Sequence, residues 1–262
     1  MDGVIYKPLI ESMKWSYSRI TSFENCQYEW YLKYICGERE GQNFYASYGS
    51  FVHKLHELFY KGKVSKQELP MKFLLGFTTK VEGERPSEDI VAKYIDTGYE
   101  YFKNFEPFPY NTISVEERVN FEFDGVNFVG CIDYIGDLDG EFYIVDHKSK
   151  NLRQRSGRAR PTRYDEELSQ YLRQLYLYGV AVEQKYGRLP DYLCFNCFKN
   201  GEFIKEKFDK GAFEDAKKWA VETVNVIKET ESFKPSLDWF YCNNLCGFRD
   251  RCCYYQDLGV SQ

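Results

Sequence analysis

Hydrophobic positions along this chain alternate between helical spacing and a period of two, and each change marks a change of element. Residues 16–36 (SYSRITSFENCQYEWYLKYIC) open with serines suited to an N-cap and continue with apolar and aromatic residues at helical spacing, up to a stop signal at Gly37. A second helix is predicted over 48–60, with Phe51, Leu55, Leu58 and Phe59 as its buried stripe. MKFLLGF, within 61–85, reads as helix, and another helix is predicted over 88–104. The period then drops to two. VEERVNFEF, Asp124-Gly125 and VNFVGCIDYIGD form a hairpin pattern, and Asp139-Gly140 leads into EFYIVDHK, which makes a three-strand antiparallel meander. An arginine-rich polar stretch over 149–163 reads as loop. DEELSQYLRQLYLYGVAVEQKYG then returns to helical spacing and ends at Gly187. DYLCFNCFK and EFIKEKF are two further strands joined around Asn200-Gly201, and a helix over about 211–230 precedes a cysteine-rich tail. No internal repeat and no long structureless linker interrupts this order. It predicts one α/β domain over 1–262 with a mixed sheet flanked by helices.

Composition narrows the class of protein. The hydrophobic fraction of 43% and charged fraction of 29% are those of a globular chain, and 23 Tyr and 21 Phe suit either a core or a nucleic-acid groove. A net charge of -5 argues against a protein that simply coats DNA, but not against one whose metal site concentrates carboxylates while its cations collect elsewhere. The first residues, MDGVIYKPLIESMKWS, carry neither a basic nor an apolar leader region, and no apolar run approaches the ~20 residues of a membrane span. A cytoplasmic protein is expected, with no membrane partner. Nine cysteines in a reducing compartment then suggest metal ligation rather than disulfides. No phosphate-binding loop of the G-x-x-x-x-G-K-[ST] type occurs.

Asp133 lies within one predicted strand, and Asp146-His147-Lys148 ends the next. Alternation along a strand puts Asp146 and Lys148 on one face, and the antiparallel neighbour can bring Asp133 beside Asp146. Two carboxylates on one sheet face repel each other unless a cation joins them, and hard oxygen ligands select Mg²⁺ or Mn²⁺. Lys148 beside such an ion could position or help deprotonate a water, or stabilise charge building on a phosphate. An Asp-x-Lys at a strand end is common by itself, so its surroundings decide.

Those surroundings are informative. The run GCIDYIGDLDGEFYIVDHKSK, preceded by Gly49-x-x-x-His53 and followed by Gln174-x-x-x-Tyr178, resembles the RecB-like branch of the PD-(D/E)XK superfamily. That branch includes the RecB and AddB nuclease domains and the CRISPR-associated exonucleases of spacer acquisition. The resemblance runs from Ser16 to Cys252 in the family's order. It implies a restriction-endonuclease-like core at about 48–210 and a metal held by His53, Asp133, Asp146 and the backbone carbonyl of His147. Lys148 would be the catalytic lysine, with Gln174 and Tyr178, one helical turn apart, holding it or contacting the DNA backbone. Tyr178 suits a core position equally well. His56 is given no role, and the side chain of His147 is read as structural.

Cys242, Cys246 and Cys252 crowd a tail too short to build a core, which points to thiolate ligation of a metal or cluster. Cys26, in the segment SRITSFENCQYEWYLKY, is the candidate fourth ligand. The resemblance implies a [4Fe–4S] cluster on one N-terminal and three C-terminal cysteines, in a lobe made of about 16–36 plus 231–255. The three-residue gap between Cys242 and Cys246 departs from the family's two. Structural Zn²⁺ on four thiolates is the alternative. Cys253 could substitute for Cys252. Cys194 and Cys197 have an odd separation within a strand and so face opposite ways; they, Cys36 and Cys131 are read as buried small apolar residues.

From Lys148 to Arg163 the chain carries Lys150, Arg153, Arg155, Arg158, Arg160 and Arg163 with no acidic residue between them, so this loop is expected to contact DNA phosphates without reading sequence. The expected activity is metal-dependent hydrolysis of DNA phosphodiester bonds, most simply as an exonuclease on single strands or duplex ends. The settings are recombination, repair, phage DNA processing or spacer acquisition. A homo-oligomer or a recombination or helicase partner is compatible with the family. A non-catalytic DNA-binding or scaffold protein with the same fold is the alternative.

Overall fold

A computed structural model describes residues 6–255; residues 1–5 and 256–262 of the predicted 1–262 domain lie outside the described residues. Helices α1 (Lys7–Glu11), α2 (Tyr17–Asn25), α3 (Gln27–Tyr34), α4 (Phe44–Tyr60), α5 (Leu69–Lys80) and α6 (Glu88–Lys103) precede the sheet strands β1 (Asn111–Phe123), β2 (Val126–Leu138) and β3 (Glu141–Lys148). Helix α7 (Arg163–Tyr186), strands β4 (Tyr192–Cys197) and β5 (Glu202–Lys207), helix α8 (Lys210–Glu229) and helix α9 (Trp239–Asn244) complete the order.

The five strands lie side by side in chain order. β2 and β3 pair antiparallel from Tyr134↔Val145 to Leu138↔Glu141, β3 and β4 pair parallel, and β4 and β5 pair antiparallel. The sheet is therefore mixed, as the alternation of periods predicted, and the fold is α/β. β3 is central, and Phe142 to His147 are all buried, the unbroken burial of a strand covered on both faces. Both Asp-Gly pairs form their turns, with φ of 49° and 72° at Asp124-Gly125 and 52° and 84° at Asp139-Gly140, the left-handed pair a tight hairpin requires.

The chain folds as two compact units: one of Asn43–Phe121 and Gly130–Ala216, the other of the residues up to Gln42, Glu122–Val129 and those from Lys217 onward. In the larger, α4, α5 and α6 join through an aromatic core that includes Tyr48, Phe51, Phe73, Phe77 and Phe102. Gly98 is required there: the Phe73 ring would lie 2.2 Å from a Cβ at that position. Asn43 starts α4 by accepting from the Tyr45 and Ala46 amides at 2.9 and 3.2 Å. In the smaller unit Trp30 stacks on Phe233 at 5.5 Å and meets Phe23 edge-on at 5.7 Å.

Two sequence expectations need correction. The helix over 16–36 is broken: Cys26 has φ -159° and ψ 111°, ends α2 and caps α3 by accepting the Glu29 amide on its sulfur. Cys36 is exposed rather than buried, and Cys131 is half-buried.

Candidate active site

The register of β2 and β3 ends at Tyr134↔Val145, one step before Asp133 and Asp146. There the Asp133 side chain replaces the missing main-chain acceptor and takes the His147 amide proton at 2.8 Å. The same oxygen lies 3.3 Å from His53 Nδ1, which α4 brings over the sheet. Gly49, one turn earlier, lets α4 run close to the end of β3: a Cβ there would meet the Ser149 hydroxyl at 3.4 Å.

Lys148 Nζ sits 2.8 Å from Asp146 Oδ2, as an ion pair rather than an aligned hydrogen bond. It donates to Gln174 Oε1 at 2.8 Å, and Gln174 Nε2 donates to the Tyr178 hydroxyl at 3.0 Å. The amide thus accepts from the lysine at one end and is fixed by the phenol at the other. Tyr178 in turn lies over Gly130, where a Cβ would meet its ring at 2.5 Å. His53, Asp133, Asp146, Lys148, Gln174 and Tyr178 therefore converge at one place, and Asp133 and Asp146 are both buried.

Burial sets the electrostatics. It raises the Asp146 carboxyl to about 6, with Asp133 adding and Lys148 opposing. Burial also pushes Asp133 up, but His53, the His147 amide and Lys148 outweigh it and hold that carboxyl below its usual value. For Lys148, burial acts to lower the pKa, yet Asp146 and Asp133 more than compensate, so the ammonium stays charged.

Residues that sequence reasoning missed surround this group. Glu116, on β1, offers an oxygen that lies with His53 nitrogen and an Asp133 oxygen, all within 4.8 Å of one another, and its Oε2 accepts from Cys131 Sγ at 3.3 Å. Beneath the site His56 stacks on His147 at 4.0 Å. Asn196 Nδ2 donates to His147 Nδ1 at 2.8 Å and to the Tyr101 hydroxyl at 2.7 Å, and Tyr101 reaches His56 Nε2 at 3.1 Å. Burial drives both imidazoles far below their normal pKa, His56 to about 3. They are neutral supports for the end of β3 that carries Asp146 and Lys148.

The cationic stretch is held in place as well as exposed. Arg155 pairs with Glu206 at 2.8 Å and donates to Ser169 at 3.2 Å, and Arg153 lies 4.2 Å over the Tyr164 ring. Lys150 lies 5.1 Å over Tyr171, and Asp165 ties Ser156 to Thr162 through their amides and hydroxyls. Arg158, Arg160 and Arg163 are exposed.

In the smaller unit Cys26, Cys242, Cys246 and Cys252 line one small cavity together with Leu32, Tyr241 and Phe248. Cys253 points elsewhere, to the Tyr28 hydroxyl at 3.3 Å. Burial raises the Cys246 thiol to about 12, with the neighbouring Glu29, Cys26 and Cys242 adding. Burial likewise raises Cys242 and Cys252, with Cys26 adding to both. Cys194 and Cys197 are fully buried, and burial raises their thiols to about 12 and 11.

A mixed sheet whose central strand ends in Asp-x-Lys, opposite a second aspartate and under a helix histidine, defines a class of hydrolytic nucleases. The chain belongs to the PD-(D/E)XK nuclease superfamily, whose family model matches residues 14–253. Over 112 residues it is 34% identical to one of the ATP-dependent helicase/nuclease subunits of Staphylococcus carnosus (strain TM300), a match to 40% of this chain and 8% of that much longer relative. Its fold is shared with a crystal structure of a Eubacterium rectale protein described as an exonuclease candidate, at a TM-score of 0.56 and 14% identity, over 99% of this chain and 91% of that one. Among the described residues no helix is long and apolar enough to cross a membrane.

Proposed function

We propose that this protein is a divalent-metal-dependent deoxyribonuclease acting as an exonuclease on single strands or duplex ends. The observation that carries the reading is the convergence of His53, Asp133, Asp146 and Lys148, with Lys148 held between Asp146 and Gln174. His53, Asp133, Asp146 and the His147 carbonyl would hold Mg²⁺ or Mn²⁺, and buried carboxylates sharing a face with an imidazole fit such an ion. The ion supplies an acidified water and neutralises charge on the phosphate. Lys148 enters as an ammonium that stabilises negative charge on the phosphoryl oxygens. Gln174 orients that ammonium, and Tyr178 orients Gln174. Lys150, Arg153, Arg155, Arg158, Arg160 and Arg163 would meet the phosphate backbone. The helicase/nuclease relative supports a helicase partner in recombination or repair, and the cytoplasm is the compartment that suits nine free thiols.

Cys26, Cys242, Cys246 and Cys252 would hold a [4Fe–4S] cluster that staples segments distant in sequence. Four thiols lining one small cavity suit ligation of a single metal centre. Structural Zn²⁺ on the same four thiolates is the alternative.

The test is cleavage of end-labelled single-stranded and duplex DNA with Mn²⁺ or Mg²⁺. Wild-type activity abolished by both Lys148→Ala and Asp146→Ala is expected, and the label pattern gives the polarity. Cluster-loaded, folded protein that cuts neither substrate would reject the reading. Iron and sulfide should be lost in Cys26→Ser and retained in Cys253→Ser.

A further inference from the structure

Asp133 has a third neighbour besides His53 and Asp146. Glu116 lies inside β1 with a φ of 52°, a left-handed conformation seldom adopted by a glutamate within a strand. Its carboxylate is turned to the place where His53 and Asp133 meet, with one donor atom from each of the three within 4.8 Å. The Cys131 thiol donates to Oε2 at 3.3 Å, which fixes the carboxylate and leaves Oε1 available. Among the described residues Glu116 forms no ion pair with a lysine or arginine. The Asp146 carboxylate stands outside this trio and is paired with Lys148. Two carboxylates this close repel each other unless a cation lies between them, and His53 as a neutral imidazole offers a nitrogen donor to the same cation.

We propose that Glu116 is a direct ligand of a divalent cation bound together with His53 and Asp133, so that this chain brings one carboxylate more to its metal centre than the Asp133–Asp146–Lys148 constellation supplies. The inference rests on the nuclease reading of the same site. One nitrogen with two carboxylate oxygens shifts selection from Mg²⁺ toward a first-row transition ion such as Mn²⁺. Glu116 would add its charge to that of Asp133 and Asp146 at the ion, while Lys148, paired with Asp146, faces the phosphate.

The experiment is Mn²⁺ binding to metal-free protein, followed by the electron paramagnetic resonance of the free ion, for wild type, Glu116→Gln and Lys148→Ala. Glu116→Gln keeps the shape and an acceptor for Cys131 but removes the charge. It should weaken Mn²⁺ binding by roughly tenfold or more, at least the loss typical of a supporting group around a metal. Melting of the metal-free protein should be unchanged or raised, since a buried repulsion is relieved. Equal Mn²⁺ affinity in wild type and Glu116→Gln would overturn the proposal, as would wild type that binds no Mn²⁺. Should Glu116→Gln misfold, Glu116→Asp, which withdraws the carboxylate by one methylene, should show a severalfold loss, and unchanged affinity would again overturn it. Lys148→Ala should bind Mn²⁺ yet cut no DNA. A wild type that binds Mn²⁺ but cuts no DNA rejects the nuclease reading and leaves Glu116 to be judged by binding alone.

Discussion

Asp146 and Lys148, two residues apart on β3, meet on one face of the sheet with 2.8 Å between carboxylate and ammonium. Both are largely withdrawn from solvent, so each charge depends on the other. Removing one partner leaves a buried charge uncompensated and typically costs about 3–5 kcal/mol, whereas removing both with similar volume is often near neutral. Asp146→Asn and Lys148→Met should each destabilise the metal-free protein by roughly that amount, and the double variant by much less. Urea unfolding of the four proteins checks this. Additive losses would show that the pair is not coupled in the folded state.

Tyr178 depends on Gly130 in a different way. The ring occupies the space a Cβ would need, 2.5 Å away, so Gly130→Ala must push Tyr178 outward. Overpacking of this kind costs roughly 1–3 kcal/mol. Tyr178 also fixes Gln174, and Gln174 fixes Lys148, so kcat should fall while substrate affinity holds. Tyr178→Phe keeps the ring and removes the hydroxyl that accepts from Gln174, and its kcat should fall less than that of Gly130→Ala. Steady-state kinetics on end-labelled DNA reads both; equal kcat in Gly130→Ala and wild type would separate Tyr178 from the chemistry.

How far this site was legible in the sequence depends on the range of the interaction. Asp146 and Lys148 share a face because of strand parity, and both hairpins follow from Asp-Gly pairs, so local rules suffice for the centre of the sheet. The break at Cys26 escapes those rules, because a thiol caps α3 in place of the usual hydroxyl or carboxylate. Glu116 was invisible because its left-handed backbone turns a side chain that simple alternation would place by parity alone. The partnership of His56, Tyr101 and Asn196 joins α4, α6 and β4, positions with no local signature. Gly130 gains its meaning only once α7 has placed Tyr178 above it.

His56 makes acid stability a test of that buried network. Burial holds its imidazole at about 3, whereas an unfolded histidine titrates near 6.5. Above about pH 6.5 both states are neutral and stability is flat on this account. As pH falls toward the folded value, only the unfolded chain takes up the proton, so stability declines by up to about 1.4 kcal/mol per pH unit for each such histidine. His147, likewise depressed by burial, adds to the slope. His56→Phe should make the decline between about pH 6 and about pH 4 shallower by close to one proton's worth. Denaturation midpoints of the metal-free protein across that range measure it, and an unchanged slope would mean that His56 is protonated in the fold.

The arginines after β3 differ in how free they are, and DNA affinity should follow that difference. Arg158 and Arg160 are exposed, whereas Arg155 is pinned by Glu206 and Ser169 and Arg153 rests on Tyr164. A cation that neutralises a phosphate releases counterions, so the double change Arg158→Ala and Arg160→Ala should flatten the plot of log affinity against log salt by up to about 1.4–1.8 for single strands or duplex. Arg155→Ala should cost less affinity, because its charge is already shared with a carboxylate. Asp165→Ala tests the frame itself: it removes the acceptor that ties Ser156 to Thr162, so the loop should open to proteolysis and DNA affinity should fall although no cation is lost. Fluorescence anisotropy with labelled single-stranded DNA, at several salt concentrations and without metal, separates the two effects. Lost charge changes the salt slope, and lost order lowers the affinity at a nearly constant slope.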